Sequence, residues 1–545
     1  MTSNDGTWDD FKRELATALN AWVERLGPDR VLSGGSAAEA YGSNAIGAER
    51  RIPAAIRPAD TDEVAAIVRV AAKHRIPLYP ISTGRNWGYG SALPVADDCV
   101  VVDLSGLDRI LDLDEELGLV TVQPGVTAGM LLDKLRERDL PWLVPVTGAG
   151  PHCSLLGNAL ERGYGITPHA DHFGALTSLT AVLPDGVIYR PALRGLGGDL
   201  VDRVFKWGVG PYLDGLFTQS GFGIVTEATF VLAPRPSHVE GFLATVAVRR
   251  DLESAVLAVR DLLRELGGVI GSINLMNGQR MLSMFGDYPR DQVGSDGVLP
   301  RGAVDRLLAG HRMGPWTIGG VIYGDDRLAA AARRRIRERL DGSAKEVRFF
   351  TRRRIDRARS LLGRLPFGFA RRLVPQLDRL AEGFKAAEGA PSDLALNLCY
   401  WKCGERPGDG RPLDPARDGC GLIWYSPLVP MKPDIVRTYV EMVTRTCPRH
   451  GIEPLITLTS LSAACFDSTV PLLFDGRSDD EAARARDCYR ELFEGGRELG
   501  CVPYRVGVEH MGLVGGSDRL GAVLKTALDP DGILAPGRYG PGRAD

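Results

Sequence analysis

The stretch Gly150–Gly165, GPHCSLLGNALERGYG, has glycine at both ends and a His–Cys pair near its start. Three readings are open: a loop shaped around a phosphate, a site for cysteine chemistry, or a turn between packed elements. Two more glycine-bearing loops lie upstream, ISTGRNWGYG (Ile81–Gly90) and VQPGVT (Val122–Thr127). In the first of these, Ser82, Thr83, Gly84, Arg85 and Asn86 follow a strand-like run and can turn several backbone N–H groups and a hydroxyl toward one anion. One such loop alone is most often a turn. Three in one domain call for a large ligand.

The surrounding pattern is α+β. In RPADTDEVAAIVRVAAKHRIPLYP (Arg57–Pro80), Asp60 or Thr61 caps a helix whose Val64, Ile67, Val68 and Ala71 recur at helical spacing, Pro77 ends it, and a short strand follows. No GxGxxG stands between a strand and a helix, so a Rossmann nucleotide site is not supported. At 545 residues the chain is too long for one ordinary domain, and its texture changes after Pro234. We expect domains at 1–235, 236–500 and 501–545, the last returning to the first. A net charge of −3 over this length argues against nucleic acid as a partner. There is no membrane-length apolar run and no signal-peptide pattern at the N-terminus, which points to the cytoplasm. The nine cysteines then read as thiols, and Cys399/Cys403 lack a second pair for zinc, so no metal is expected. Between Arg333 and Arg372, fourteen arginines and one lysine face four acids, a local net of +11. This segment is either a solvated helix face or a docking surface for an acidic protein.

The order and wording of the loops resemble the vanillyl-alcohol oxidase and p-cresol methylhydroxylase family of FAD-linked oxidoreductases. The likeness runs from IRPADTDEVAAIV through ISTGRNWGYG, VQPGVT, GNALERGYGITPHADHFG and FKWGVGPYLDGLFTQSGFGIVTEATFVLAPRP to YRVGVEH and LDPDGILAPGRYG. It implies an α+β fold: a two-part FAD-binding domain formed by the N-terminal portion and the C-terminal tail, with an α/β cap domain over the flavin. It also implies a homodimer. Carried over residue by residue, Ser82, Thr83, Gly84, Arg85 and Asn86 line the diphosphate, and Cys153 and Ser154 stand by the flavin. Gly157, Asn158, Gly163 and Gly165 let the backbone approach it. Ile224 and Val225 lie near the adenine or ribityl part, and Pro536–Arg538 closes the site.

Tyr504 and Arg505, in VPYRVGVEH, are neighbours in a strand-like segment and point to opposite faces unless the strand bends. In the resembling family this pair and the tyrosine of the GYG loop, here Tyr89, hold the phenolate oxygen of a para-substituted phenol. A guanidinium and two hydroxyl donors stabilise such an anion, and ionising the oxygen pushes electrons toward the para carbon. The resemblance implies hydride transfer from the benzylic carbon to flavin N5 through a quinone methide, with O2 or a separate protein as electron acceptor. No CxxCH haem motif occurs in the chain. A non-phenolic alcohol or hydroxy acid bound through Tyr504 and Arg505, or a flavin-binding protein without turnover, are the alternatives.

The chain departs from the family at several points. The histidine that tethers FAD in some members is replaced by Leu422 in GCGLIWYSPL, which excludes that link. Non-covalent FAD is favoured, with a link through Cys153 or Tyr400 left open. The acidic residue beside the flavin in alcohol-oxidising members falls near Ala149, so an active-site carboxylate base is missing, and proton removal falls to Tyr89, Tyr504, His152 or solvent. Paired cap-domain histidines are replaced by Phe466 and Asp467. Asp171 and His172, in HADHFG, either brace the loop or touch substrate, and His169 is equally open.

Overall fold

The computed structural model describes residues 5–246, 251–363, 368–403, 406–408, 410–515 and 518–540, without the side chains of 5–7 and 368–373. The helix Thr61–His74 forms as its spacing predicts: Asp60 caps it by accepting the Glu63 N–H at 2.8 Å, and Val64, Ile67, Val68 and Ala71 are buried. It ends at Arg75 in the left-handed conformation (φ 54°), before Pro77 is reached. The N-terminal helix Asp5–Leu26 packs on it through Trp22, whose indole N–H donates to the Ile67 carbonyl.

These helices cover a four-stranded sheet in the order Val31–Ser33, Ala54–Ile56, Val100–Asp103, Leu78–Ile81, in which the last three strands are parallel. A five-stranded antiparallel sheet follows, ordered Ile110–Asp114, Leu119–Val122, Ile224–Val231, Leu176–Val182, Ile188–Tyr189. The loop Ile81–Gly90 leaves the edge of the first sheet. VQPGVT leaves the second and leads into the helix Ala128–Glu137.

An eight-stranded antiparallel sheet begins at His238–Val246, where the texture of the sequence changes. The helices Leu252–Glu265, Asp326–Leu340, Pro433–Arg449 and Asp479–Glu498 pack on it through their apolar stripes. Along Cys465–Asp475 the side chains alternate: Phe466 is fully buried in that core, and Ser468 bonds the Tyr439 hydroxyl of the helix Pro433–Arg449. Asp467 points the other way. The same alternation on Cys420–Pro430 buries Tyr425 under the helices, its hydroxyl on the Leu492 carbonyl, and turns Leu422, Trp424 and Ser426 toward the loop Ile81–Gly90.

The segment from 501 serves both halves. Its first strand, Pro503–Arg505, is the edge of the eight-stranded sheet. Then the Val508 N–H donates to the Tyr89 carbonyl, and farther on the Leu78 N–H donates to the Ile533 carbonyl while the Leu78 carbonyl accepts the Ala535 N–H. Lys525 is buried beneath this return, its ammonium on Asp529 and on the Gly221 and Leu534 carbonyls. The arginine-rich segment spends much of its charge internally. Arg333 and Arg354 pair with Glu240, Arg335 and Arg339 with Glu265, and Arg359 with Asp378. Residues 364–367 of that segment lie outside the described residues.

Candidate active site

In the loop after Leu78–Ile81, none of the backbone N–H groups from Ser82 to Asn86 donates a hydrogen bond to the described protein. These five adjacent unpaired donors lie at a bend, with Gly84 at φ +66° and no carboxylate ion-paired to Arg85 among the described residues, an arrangement that could hold an anion. The opening stretch packs directly on it. A Cβ on Gly157 would sit 2.3 Å from Ser82 Oγ, so only glycine lets the helix Leu155–Leu160 lie that close. Ser154 caps this helix, accepting the Gly157 N–H at 2.9 Å while donating to the Pro124 carbonyl at 2.6 Å, and so ties VQPGVT to it. Gly163 and Gly165 admit Asn158 and His172: a Cβ would meet Asn158 Oδ1 at 2.1 Å and His172 Nε2 at 2.7 Å. Asn158 bonds the His172 ring, and burial lowers this imidazole to about 4, leaving it neutral.

At the other end of the loop Tyr89, Tyr504 and Arg505 converge. The Arg505 guanidinium carbon is 4.3 Å from the Tyr89 ring centroid. Its Nη2 donates to Asn86 Oδ1 at 2.6 Å, and its Nε is buried without a hydrogen-bond partner. The adjacent Tyr504 reaches the same place because the strand is irregular: Ser426 opposes Arg505 while Pro427 opposes Pro503, a register shift that breaks strict alternation. Tyr504 donates to Asp467 Oδ2 at 3.4 Å and meets Tyr164 edge-on, ring centroids 5.9 Å apart. Tyr89 shares a 2.8 Å bond with Ser426 Oγ. Burial pushes the Tyr89 hydroxyl up to about 12 against the pull of Arg505, and lifts Tyr504 well above the ordinary range. Burial also raises the Asp467 carboxyl to about 7, opposed by the Tyr504 hydrogen bond and by Arg505.

Glu161, inside the opening stretch, ties this end to the tail. It pairs with Arg538, accepts from the Tyr539 hydroxyl at 3.2 Å, and lies 3.7 Å from Arg505 Nε. Arg538 also donates to the Tyr79 hydroxyl at 2.8 Å. Sequence reasoning passed over Glu161, whose only signal was an acid among glycines. It also passed over Asp393. No acid stands at Ala149, yet Asp393 reaches the adjacent residue from the segment Asp393–Leu398, its Oδ1 2.7 Å from where a Gly150 Cβ would be. Burial raises its carboxyl, while His152 and Arg85 pull it down. His152 is exposed, and the half-buried Cys153 thiol is pushed up by burial against weaker pulls from Thr147, Arg505 and Arg85.

Other sites lie elsewhere. The Asp171 side chain is exposed and accepts the Gly174 N–H at 2.8 Å, bracing its own loop, and His169 is exposed too. Ile224 and Val225 are buried where their strand begins, opposite Val182 and Ala181. Tyr400 is buried and donates to Asp418 at 2.5 Å, whereas Leu422 lies against Gly88.

Comparison with known proteins agrees with this arrangement. An FAD binding domain model matches residues 52–191, which hold all three glycine loops. The chain is 36% identical over 538 residues to the 1'-carboxy-chondrochloren decarboxylase of Chondromyces crocatus, covering 96% of this chain and 97% of that protein. It is 26% identical over 540 residues to the flavoprotein subunit of 4-cresol dehydrogenase (hydroxylating) of Pseudomonas putida, covering 97% and 96%. Among solved structures, p-cresol methylhydroxylase with substrate bound superposes with a TM-score of 0.83 at 27% identity, covering 97% of each chain. With its α+β architecture, its glycine loops and these full-length relatives, the chain belongs to the vanillyl-alcohol oxidase and p-cresol methylhydroxylase family and is an FAD-dependent oxidoreductase.

Proposed function

We propose that the protein oxidises a phenol bearing an alkyl or hydroxyalkyl group para to the hydroxyl. The observation that carries this reading is the convergence of Tyr89, Tyr504 and Arg505, in which a buried guanidinium N–H has no hydrogen-bond partner and only the Glu161 carboxylate at 3.7 Å beside it. A buried donor of that kind is costly unless a ligand satisfies it. Arg505 and the two hydroxyls suit one oxygen that gains negative charge.

FAD fits the remaining residues: the unpaired N–H groups of Ser82–Asn86 and Arg85 suit its diphosphate, and the Gly157–Gly165 wall suits a flat ring system. Bound there, FAD would supply a two-electron, hydride-accepting oxidant for the substrate's benzylic carbon. The protein's part is to hold the phenol oxygen as an anion beside Arg505, so that the ring pushes electrons toward the para carbon, and to orient that carbon. Arg505 is itself held by Asn86 and Glu161. The cofactor is held without a covalent bond in this reading. Leu422 replaces the tethering histidine, the Tyr400 hydroxyl is engaged by Asp418, and burial keeps Cys153 a thiol.

Anaerobic mixing of the oxidised holoenzyme with a panel of 4-alkylphenols and 2-hydroxy acids tests the proposal. Phenols bleach the flavin band and hydroxy acids do not; the reverse pattern overturns it. Re-oxidation of the bleached enzyme by air or only by an added acceptor separates oxidase from dehydrogenase. A second reading is favoured by the 36% identical relative, which is named a decarboxylase. If the carbon next to the benzylic position carries a carboxylate, hydride loss leaves a quinone methide. The C–CO2 bond electrons can refill it, giving CO2 and a vinylphenolate. Release of CO2 from 3-(4-hydroxyphenyl)propionate in step with flavin bleaching distinguishes this outcome.

A further inference from the structure

Given a phenol in the site as proposed above, its proton needs a destination. Tyr89 and Tyr504 cannot be its final holders, since burial raises both hydroxyls and keeps each already carrying its own proton. Asp171 and His152 are exposed, and neither hydrogen-bonds Tyr89, Tyr504 or Arg505 among the described residues, although the Asp171 charge is felt by Tyr164. Asp467 stands differently. The alternation of its strand turns it away from the helices and toward Tyr504, and its side chain is 5% exposed. Oδ2 accepts from the Tyr504 hydroxyl, while Oδ1 is buried with no hydrogen-bond partner. The groups that feel its charge come from every element around it: Tyr504 and Arg505 from the edge strand, Tyr89 from the glycine loop, Tyr164 from the opening stretch, and Cys465 from its own strand. Only Arg505 is a cation, and among the described residues no ion pair within 4.0 Å holds Asp467. A carboxylate buried without a paired cation gains a proton readily.

We propose that Asp467 is the terminal acceptor of the substrate's phenolic proton, reached through the Tyr504 hydroxyl. The O–H bond of the phenol breaks and its proton passes to Tyr504 Oη, as the proton already on Tyr504 passes to Asp467 Oδ2. No electrons are exchanged. The site holds one negative charge before and after, moved from Asp467 to the phenol oxygen beside Arg505. That transfer avoids two anions in one buried space. Asp467 touches no reacting atom and is a positioning residue that sets when the phenol ionises. Burial holds its carboxyl near 7, so it can change state close to neutral pH.

The experiment compares kcat/KM against pH for the wild-type holoenzyme and Asp467→Asn. One substrate is 4-ethylphenol; the other is a ring-fluorinated 4-alkylphenol already ionised at neutral pH. In the wild type, 4-ethylphenol oxidation rises with pH through a limb near 7, and with the fluorinated phenol that limb moves to the substrate's own ionisation. Asp467→Asn loses about 100-fold on 4-ethylphenol at neutral pH, as removing a proton acceptor does, with the limb gone, and keeps its rate on the ionised phenol. Asp467→Glu restores the limb. Equal losses on both phenols, or an acid limb that survives in Asp467→Asn, overturn the relay. The two-substrate comparison in the wild type needs no variant to fold. If the wild type oxidises no phenol at all, the phenol reading itself falls, and this relay with it.

Discussion

Replacing Arg505 by alanine removes the one cation of the phenol end; Glu161 keeps Arg538 and the Tyr539 hydroxyl, and Asp467, left without a cation, takes up a proton instead of standing charged. Stability should therefore change little, and the loss should appear in the chemistry. Two unit charges about 4 Å apart attract by about 4 kcal/mol at an effective dielectric near 20. Removing a preorganised donor to a developing oxyanion costs about 3–4 kcal/mol in known enzymes, so the two estimates agree. Flavin reduction by 4-ethylphenol should slow by roughly 100- to 1000-fold. Arg505 also pulls the Asp467 carboxyl down, so its loss should shift the acid limb to higher pH. Arg505→Lys should recover only part of the rate, because a point charge cannot face Asn86, Glu161 and a phenolate at once. The assay is anaerobic stopped-flow bleaching of the holoenzyme at several pH values. An Arg505→Ala enzyme reduced by 4-ethylphenol at the wild-type rate would refute the charge argument.

The raised Asp467 carboxyl also bears on stability. Its folded value near 7 lies above the ordinary 3.8, so the folded state binds the extra proton between those limits and stability falls as pH rises through that window. Asp467→Asn should accordingly stabilise the fold at pH 8 by up to about 4 kcal/mol and leave it unchanged at pH 4, read as a shift in melting temperature. For the cofactor, acid precipitation of the holoenzyme should leave all the yellow colour in the supernatant; colour retained in the pellet would point to a bond through Cys153 or Tyr400.

Much of the site was legible because its parts sit within local words. The cradle of Ser82–Asn86, the glycines that admit Ser82, Asn158 and His172, and the convergence of Tyr89 with Tyr504 and Arg505 all trace to short motifs. What stayed hidden arrives across long separations. Asp393 reaches Gly150 from a distant segment, and nothing around either residue announces the meeting. Asp467 was visible only as a replaced histidine. Its unpartnered oxygen depends on the register of three strands, with Thr459 on one side and Leu428 on the other. Strict alternation would also have split Tyr504 from Arg505, and it is a register shift at Ser426–Pro427, unmarked in the sequence, that lets both face the site. Asn86, expected at the diphosphate, keeps its backbone N–H unpaired while its side chain holds Arg505, so that one residue links the two ends of the loop.

The return of Ile533–Tyr539 to Leu78 and Glu161 has a consequence for how the protein is made. Translation runs at about 5–20 residues per second, so roughly 300 residues between Pro234 and Ile533 take about 15–60 s to emerge. Throughout that interval the nascent N-terminal portion lacks the partners of Leu78 and the arginine that neutralises Glu161. A ribosome-bound fragment would hold a buried acid without its counter-ion, and a cofactor pocket missing one wall. A pocket whose wall includes Ile533–Tyr539 should not retain flavin until those residues have emerged and docked on Leu78 and Glu161.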